Sequence, residues 1–397
     1  MKNLGLLLLA LLFSPQLVNA QDSDEKSIYA FTDKVMLPTT SVKNQYRSGT
    51  CWCFSSMSFF ESEAVRMGKA KIENIDLAEM FIVNRDYHVR AIDYVRWNGA
   101  KSFSAGAESS NAIDRMNEFG LVPQNVYPGL NYGTDKPQHG ELDALTKAYV
   151  ETIVKNPNRK LSSVWIKGFD GILAAYLGEI PEEFEYEGKK YTPHSYRESL
   201  GLEAKNYVEL TSFTHHPFYT SYVFEAPDNW SLSQAYNVKI DELLDIAFYA
   251  IDNGYTVLWG GDVSEDGFSF THGLAIIPDE NQESLEGTDR DKLNGTEVKQ
   301  KPRLFKEIVP EKTITQEMRQ EAFDNFETTD DHGMHIVGYA LDKNGKRYFK
   351  IKNSWDSENL YGGYQYMSES FFKYKTMTIA IHKDAIPSSI KKKLNIK

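Results

Sequence analysis

Two spacings of apolar residues divide the chain. In the first half they recur at intervals of three and four, which predicts helices over 51–68, 77–97, 109–119 and 141–155. A further helical block over 239–253 runs into the apolar strand 256–259. Beyond residue 334 the pattern shortens to strand spacing: a strand from Met334, a turn at Asn344-Gly345, a second strand, a break at Gly362-Gly363, then strands ending in 377–382. Between these blocks, 192–230 is rich in Tyr, Phe and His and reads as an irregular insertion with a short helix near Ser195. Residues 279–294 are polar and acidic and read as an exposed loop. Helices first and strands second make this an α+β chain, with insertions near 140–235 and 279–328.

The opening segment stands apart. Residues 1–20 begin with Lys2, continue through Leu6–Phe13 and end Val18-Asn19-Ala20, the charge, apolar run and small-residue site of a signal peptide. The apolar run is short of the roughly 20 residues that cross a bilayer. We therefore expect cleavage after Ala20, no stable membrane anchor, and a periplasmic or extracellular location. No Cys follows the run to carry a lipid.

Composition adds exclusions. The 397 residues are 41% hydrophobic and 13% aromatic, enough for a large core. Net charge is −12, one unit more negative without Lys2, which speaks against nucleic acid as a partner. Both cysteines, Cys51 and Cys53, lie two residues apart on one predicted helix and point to different sides, so no disulfide is expected between them. Cys53 reads as core.

Cys51 reads as chemistry. Ser48-Gly49-Thr50 make a turn and a helix cap, which places Cys51 in the first helical turn, where exposed N–H groups favour a thiolate. Gln45, six residues upstream, has a side-chain N–H that, with the Cys51 N–H, suits a developing oxyanion. Far downstream, His335 in the strand from Met334 is the expected general base, Asn353 the acceptor of its second ring N–H, and Trp355 the shield over that bond. His332, beside Asp330-Asp331, is the rival; His335 is preferred because it begins the apolar strand leading to Asn353. His215-His216 and His194, without spaced carboxylates or Cys, are a weak metal signal, and neither metal nor cofactor is expected.

Cys, His and Asn in this order resemble the papain superfamily. Gln45 before Cys51-Trp52, Ala105-Gly106-Ala107 through Pro123, 192–197 and 257–263 resemble its bleomycin hydrolase and aminopeptidase C branch. The resemblance runs from about Asn44 to His382. It implies a two-lobed papain-like fold, with a helical lobe carrying the nucleophile, an antiparallel β lobe carrying His and Asn, and catalysis in the cleft between. It also implies cysteine-type peptide hydrolysis through a thioester, as an aminopeptidase, with Ala105, Gly106 and Trp52 along the substrate. Peptides or proteins are the implied partners, a homo-oligomer is compatible with the branch, and no inhibitory pro-segment is expected.

Two departures qualify the resemblance. Asp356 stands where many relatives have Gly, and residues 383–397, with Lys391-Lys392-Lys393, do not match the branch's C-terminal arm, whose carboxylate selects free amino termini. An open-cleft endopeptidase is the alternative within the class. An inactive papain-like scaffold and an acyl-transfer enzyme are the alternatives outside it.

Overall fold

The computed structural model describes residues 28–279, 304–305 and 307–397. The expected signal peptide and most of the expected loop after 279 lie outside them.

Five helices form one lobe: α1 (Cys51–Arg66), α2 (Glu79–Arg96), α3 (Ser109–Phe119), α4 (Gly140–Val154) and α5 (Trp165–Leu177). Their apolar stripes meet in one core, in which Met57, Phe59, Phe60, Ile82, Met116 and Phe169 are buried. The hairpin β2 (Phe184–Tyr186) and β3 (Lys189–Tyr191) and the short α6 (Pro193–Ser199) close this lobe. Thr192 caps α6 by accepting from the Ser195 N–H at 3.2 Å.

The second lobe is an eleven-stranded mixed sheet. Its strands are β1 (Thr32–Met36), β4 (Tyr207–Thr211), β5 (Ser221–Val223), β6 (Gln234–Asn237), β7 (Val257–Gly261), β8 (Phe268–Ser269), β9 (Leu274–Ala275), β10 (His332–Leu341), β11 (Arg347–Lys352), β12 (Tyr364–Ser368) and β13 (Thr376–His382). They run in the order β5-β6-β4-β13-β7-β10-β11-β12-β9-β8, with β1 on β10. The region read as an irregular insertion therefore supplies β4 and β5 to the main sheet, β4 antiparallel to β13 with Ile379 opposite Leu210. Helix α7 (Ile240–Asp252) lays its apolar face on the sheet, with α8 (Gln316–Asp324), α9 (Glu369–Lys375) and α10 (Ser388–Leu394) around it.

Strand β10 organises the site. Its first half pairs with β7, His332 opposite Gly261 and Met334 opposite Trp259, and its second half with β1. Alternate side chains of a strand point to opposite faces. Met334 and Ile336 enter the core of the β lobe, while His335 turns toward α1, its Nδ1 2.9 Å from Ser58 Oγ and its ring edge-on to Phe59. Gly333 shares that face, and a Cβ there would come within 3.2 Å of the Trp52 Cα and 3.0 Å of Ser55 Oγ. Glycine lets the start of β10 press against the start of α1.

Candidate active site

A cavity of about 920 Å³ opens between the lobes. Gln45, Cys51 and Trp52 line it from the helical side, and Asp330, Asp331, His332 and Trp355 from the sheet.

Cys51 is the first residue of α1 and is half-buried. Thr50 occupies the cap position, but its hydroxyl meets Ser48 Oγ at 2.5 Å and caps no helix N–H. The first N–H groups of α1 therefore lack a side-chain cap. The loop before the helix is stitched to the loop after β11: the Gln45 N–H donates to the Ser354 carbonyl at 2.8 Å, and Asn44 bridges Trp355. Ser354 Oγ also donates to Gln45 Oε1 at 2.6 Å. That leaves the Gln45 Nε2–H₂ end for the cleft that Gln45 lines.

The histidine in the site is His332. Its Nε2 lies 2.9 Å from Asn353 Oδ1. The orientation of that amide is fixed twice, because the Ser354 N–H, which can only donate, reaches Oδ1 at 2.7 Å and Asn353 Nδ2 donates to Gln365 Oε1 at 2.7 Å. Nε2 of His332 must therefore carry the proton, and Nδ1 is left with the lone pair. Trp355 lies against the His332 ring at 4.6 Å between centroids, backed by Phe268 and Phe270.

This corrects the assignment of His335. Its side chain is fully buried, its Nε2 has no hydrogen-bond partner, and burial followed by the field of Lys352 pushes its pKa down. Its contact Ser58 is seven residues beyond Cys51, roughly 10 Å along the helix axis. The strand begins two residues earlier than the apolar pattern suggested, and the odd offset of three between the two histidines puts them on opposite faces.

The Peptidase C1-like family model matches residues 307–397, the segment that holds His332 and Asn353. Aminopeptidase E of Lactobacillus helveticus is 25% identical over 386 residues, covering 87% of this chain and 82% of that protein. Aminopeptidase C of the same organism is 20% identical over 408 residues, covering 90% and 83%. The crystal structure of pepw from Lactobacillus rhamnosis superposes over 92% of this chain and 84% of that one, with a TM-score of 0.67 and 20% identity. These similarities support a place among the cysteine peptidases of the papain superfamily, on the side of the aminopeptidase C branch.

Several features of this cleft were not visible in the sequence. Burial pushes the Cys51 thiol up to about 12; the Gly333 and Trp52 N–H groups oppose this, and the charges of Asp330 and Asp228 add to it. The helix end acts in the expected direction but is outweighed, so Cys51 alone is a thiol. Gly106 and Trp52 line the cleft, whereas Ala105 is not among the lining residues and its carbonyl accepts from Trp52 Nε1 at 3.0 Å. Gln365 and Ser354, which orient Asn353 and Gln45, carried no recognisable signal. Asp356 keeps a glycine-like turn at φ 74°, held by Asn44 Nδ2 on its Oδ2 at 2.9 Å and by the Ser357 N–H on its Oδ1 at 2.8 Å. Cys53 is core, with its thiol on the Glu79 carbonyl. His215 and His216 share Glu225, at 2.6 and 3.2 Å, a carboxylate whose place beside them only the fold reveals.

Proposed function

We propose that the protein hydrolyses peptides through a thioester on Cys51, with His332 as general base and acid, and that it removes residues from a free amino terminus. The observation that carries this is the His332–Asn353 hydrogen bond at 2.9 Å in the cleft lined by Cys51 and Gln45. As Nδ1 of His332 accepts the thiol proton, the sulfur attacks the scissile carbonyl. The charge on the carbonyl oxygen goes to Gln45 Nε2–H and the Cys51 N–H. His332 then protonates the leaving amine, and a water that gives its proton to His332 releases the acyl group. Ion-pair formation with His332 supplies the thiolate that the isolated Cys51 does not.

The aminopeptidase reading draws on the activities for which the relatives are named. An endopeptidase reading is favoured by one observation: α10 packs on the β lobe, with Ile390 and Leu394 in its core and Lys393 on Glu242 of α7, and no residue beyond Trp355 lines the cleft among the described residues. One peptide offered with a free and with an acetylated amino terminus separates them by mass. Stepwise loss from the free form alone supports the aminopeptidase, internal cuts in both forms the endopeptidase, and absence of any Cys51-dependent cut rejects both. Export is proposed from residues 1–20, and amino-terminal sequencing of the mature protein should begin at Gln21.

A further inference from the structure

The cleft has an acidic wall. Asp228, Asp330, Asp331 and Glu108 line it together with Cys51, and the one basic residue among the lining residues, Arg47, is exposed and lies over the Tyr46 ring. Asp331 is engaged by Ser264 Oγ, and Asp228 accepts from Ser104 Oγ at 3.3 Å. Glu108 differs from both. It sits just before α3, only 4% exposed, with Oε2 3.5 Å from Thr378 Oγ1 and Oε1 without a hydrogen-bond partner. A buried carboxyl oxygen left in this way is stabilised when a donor reaches it.

The neighbour of Glu108 is a second carboxyl. Asp330, two residues before His332, interacts with Glu108 directly; burial and this proximity raise both groups, Glu108 to about 8 and Asp330 well above its ordinary range. Two carboxyls this close hold a proton between them until a cation replaces it. Gly260 leaves space beside them: a Cβ there would stand 3.8 Å from Glu108 Oε2, and Gly260 itself lines the cleft. Neither Arg90, which donates to the Ser104 carbonyl and lies over the Trp230 face, nor Arg115, which pairs with Glu118 and lies over the same ring, is among the residues that line the cleft.

We infer that Glu108 and Asp330 form a receptor for a positive charge on the substrate, an α-ammonium or a Lys or Arg side chain, lying on the amino-terminal side of the scissile bond. The inference rests on the peptidase reading for the position of that bond. Glu108 Oε1 accepts from the cation, Asp330 shares its charge, and the proton they held is released. The device makes the cleft select for cationic substrates with side chains that immediately precede α3 and β10, independently of the chain's C-terminal segment.

The test uses three coumarylamides: alanyl, with a free ammonium before the cleaved bond, acetyl-lysyl-alanyl and acetyl-leucyl-alanyl. Wild type should favour one or both cationic compounds over the leucyl compound in kcat/KM. That ratio should fall on the order of 10- to 100-fold in Glu108→Gln and in Asp330→Asn. A fall confined to the alanyl compound assigns the site to the amino terminus, and one confined to the lysyl compound to a side chain. A ratio unmoved in both folded variants, or a wild-type preference for the leucyl compound, overturns the inference while leaving the peptidase reading intact. Calorimetry on Cys51→Ala with the same compounds separates the two failures. Glu108-dependent binding of the cations without turnover by wild type upholds the charge receptor and rejects the peptidase.

Discussion

Asn353 accepts its hydrogen bond from His332, at 2.9 Å, and not from His335, whose ring is buried against Ser58 on the other side of β10. The two histidines should separate chemistry from stability. His332→Ala is expected to lower kcat by about 10²- to 10⁴-fold with a melting temperature near that of wild type. His335→Ala should lose about 2–4 kcal/mol of stability by opening a cavity and removing one of the hydrogen bonds of Ser58, yet retain turnover per folded molecule. Peptidase assays paired with thermal melts decide, and a stable but inactive His335→Ala would reverse the assignment.

Gln365 acts on the reaction through Asn353. Fully buried, it accepts from Asn353 Nδ2 at 2.7 Å and so keeps Oδ1 facing His332. In Gln365→Leu the amide loses this constraint, and kcat should drop on the order of tenfold with a displaced pH–rate profile. Gln365→Glu, which keeps an acceptor, should recover most of it. Equal losses in both variants with an unmoved profile would reduce Gln365 to a packing role.

Gln45 should matter for the rate more than for binding. Gln45→Ala is expected to cost about 10²- to 10³-fold in kcat with little change in KM. Ser354→Ala, which removes the 2.6 Å hydrogen bond to Gln45 Oε1, should show a smaller loss of the same kind. Steady-state kinetics on one coumarylamide measure both, and a change in KM alone would contradict the oxyanion role.

The buried carboxyls set a pH dependence of stability. Glu209, on β4, accepts from the Ser110 N–H at 2.8 Å and is raised to about 7, chiefly by burial. Its folded pKa lies above its unfolded value near 4.5, so between them the unfolded chain has released a proton that the folded chain keeps, and stability falls as pH rises from about 4.5 to 7. Glu79, raised to about 7, adds to this fall. His335 is shifted the opposite way, and its share of stability is lost as pH falls below about 6.5. Glu209→Gln should thus gain stability relative to wild type with increasing pH, by up to about 3 kcal/mol at pH 8. Denaturant titrations at pH 5 and 8 check the sign, and a gain larger at pH 5 would refute it.

Periodicity located the helices well, α3 at its exact ends and α7 within a residue of each, because their apolar stripes are long and uninterrupted. It missed α5, where Gly168 and Gly171 dilute the helical signal. It also missed β4, whose partner β13 lies some 170 positions downstream. Cys51, Gln45, Asn353 and Trp355 stand together as the residue types suggested. The histidine was misplaced because an apolar run marks where a strand enters the core, while β10 begins at the polar rim, where His332 can face the cleft and still pair across the sheet with Gly261. Glu108 gave no signal as a cleft residue, since its partner Asp330 lies more than 200 positions downstream and only the fold brings the two together.

The packing of α10 against the β lobe, with Lys393 on Glu242, has an evolutionary reading. A selectivity that depends on the final carboxylate of a chain is tied to its length, so insertion, truncation or fusion at that end changes it all at once. Side chains at the start of α3 and at the entry to β10 can instead be exchanged singly, leaving descendants of this protein free to drift in substrate preference by point substitution while their C-terminal end is extended or tethered without penalty.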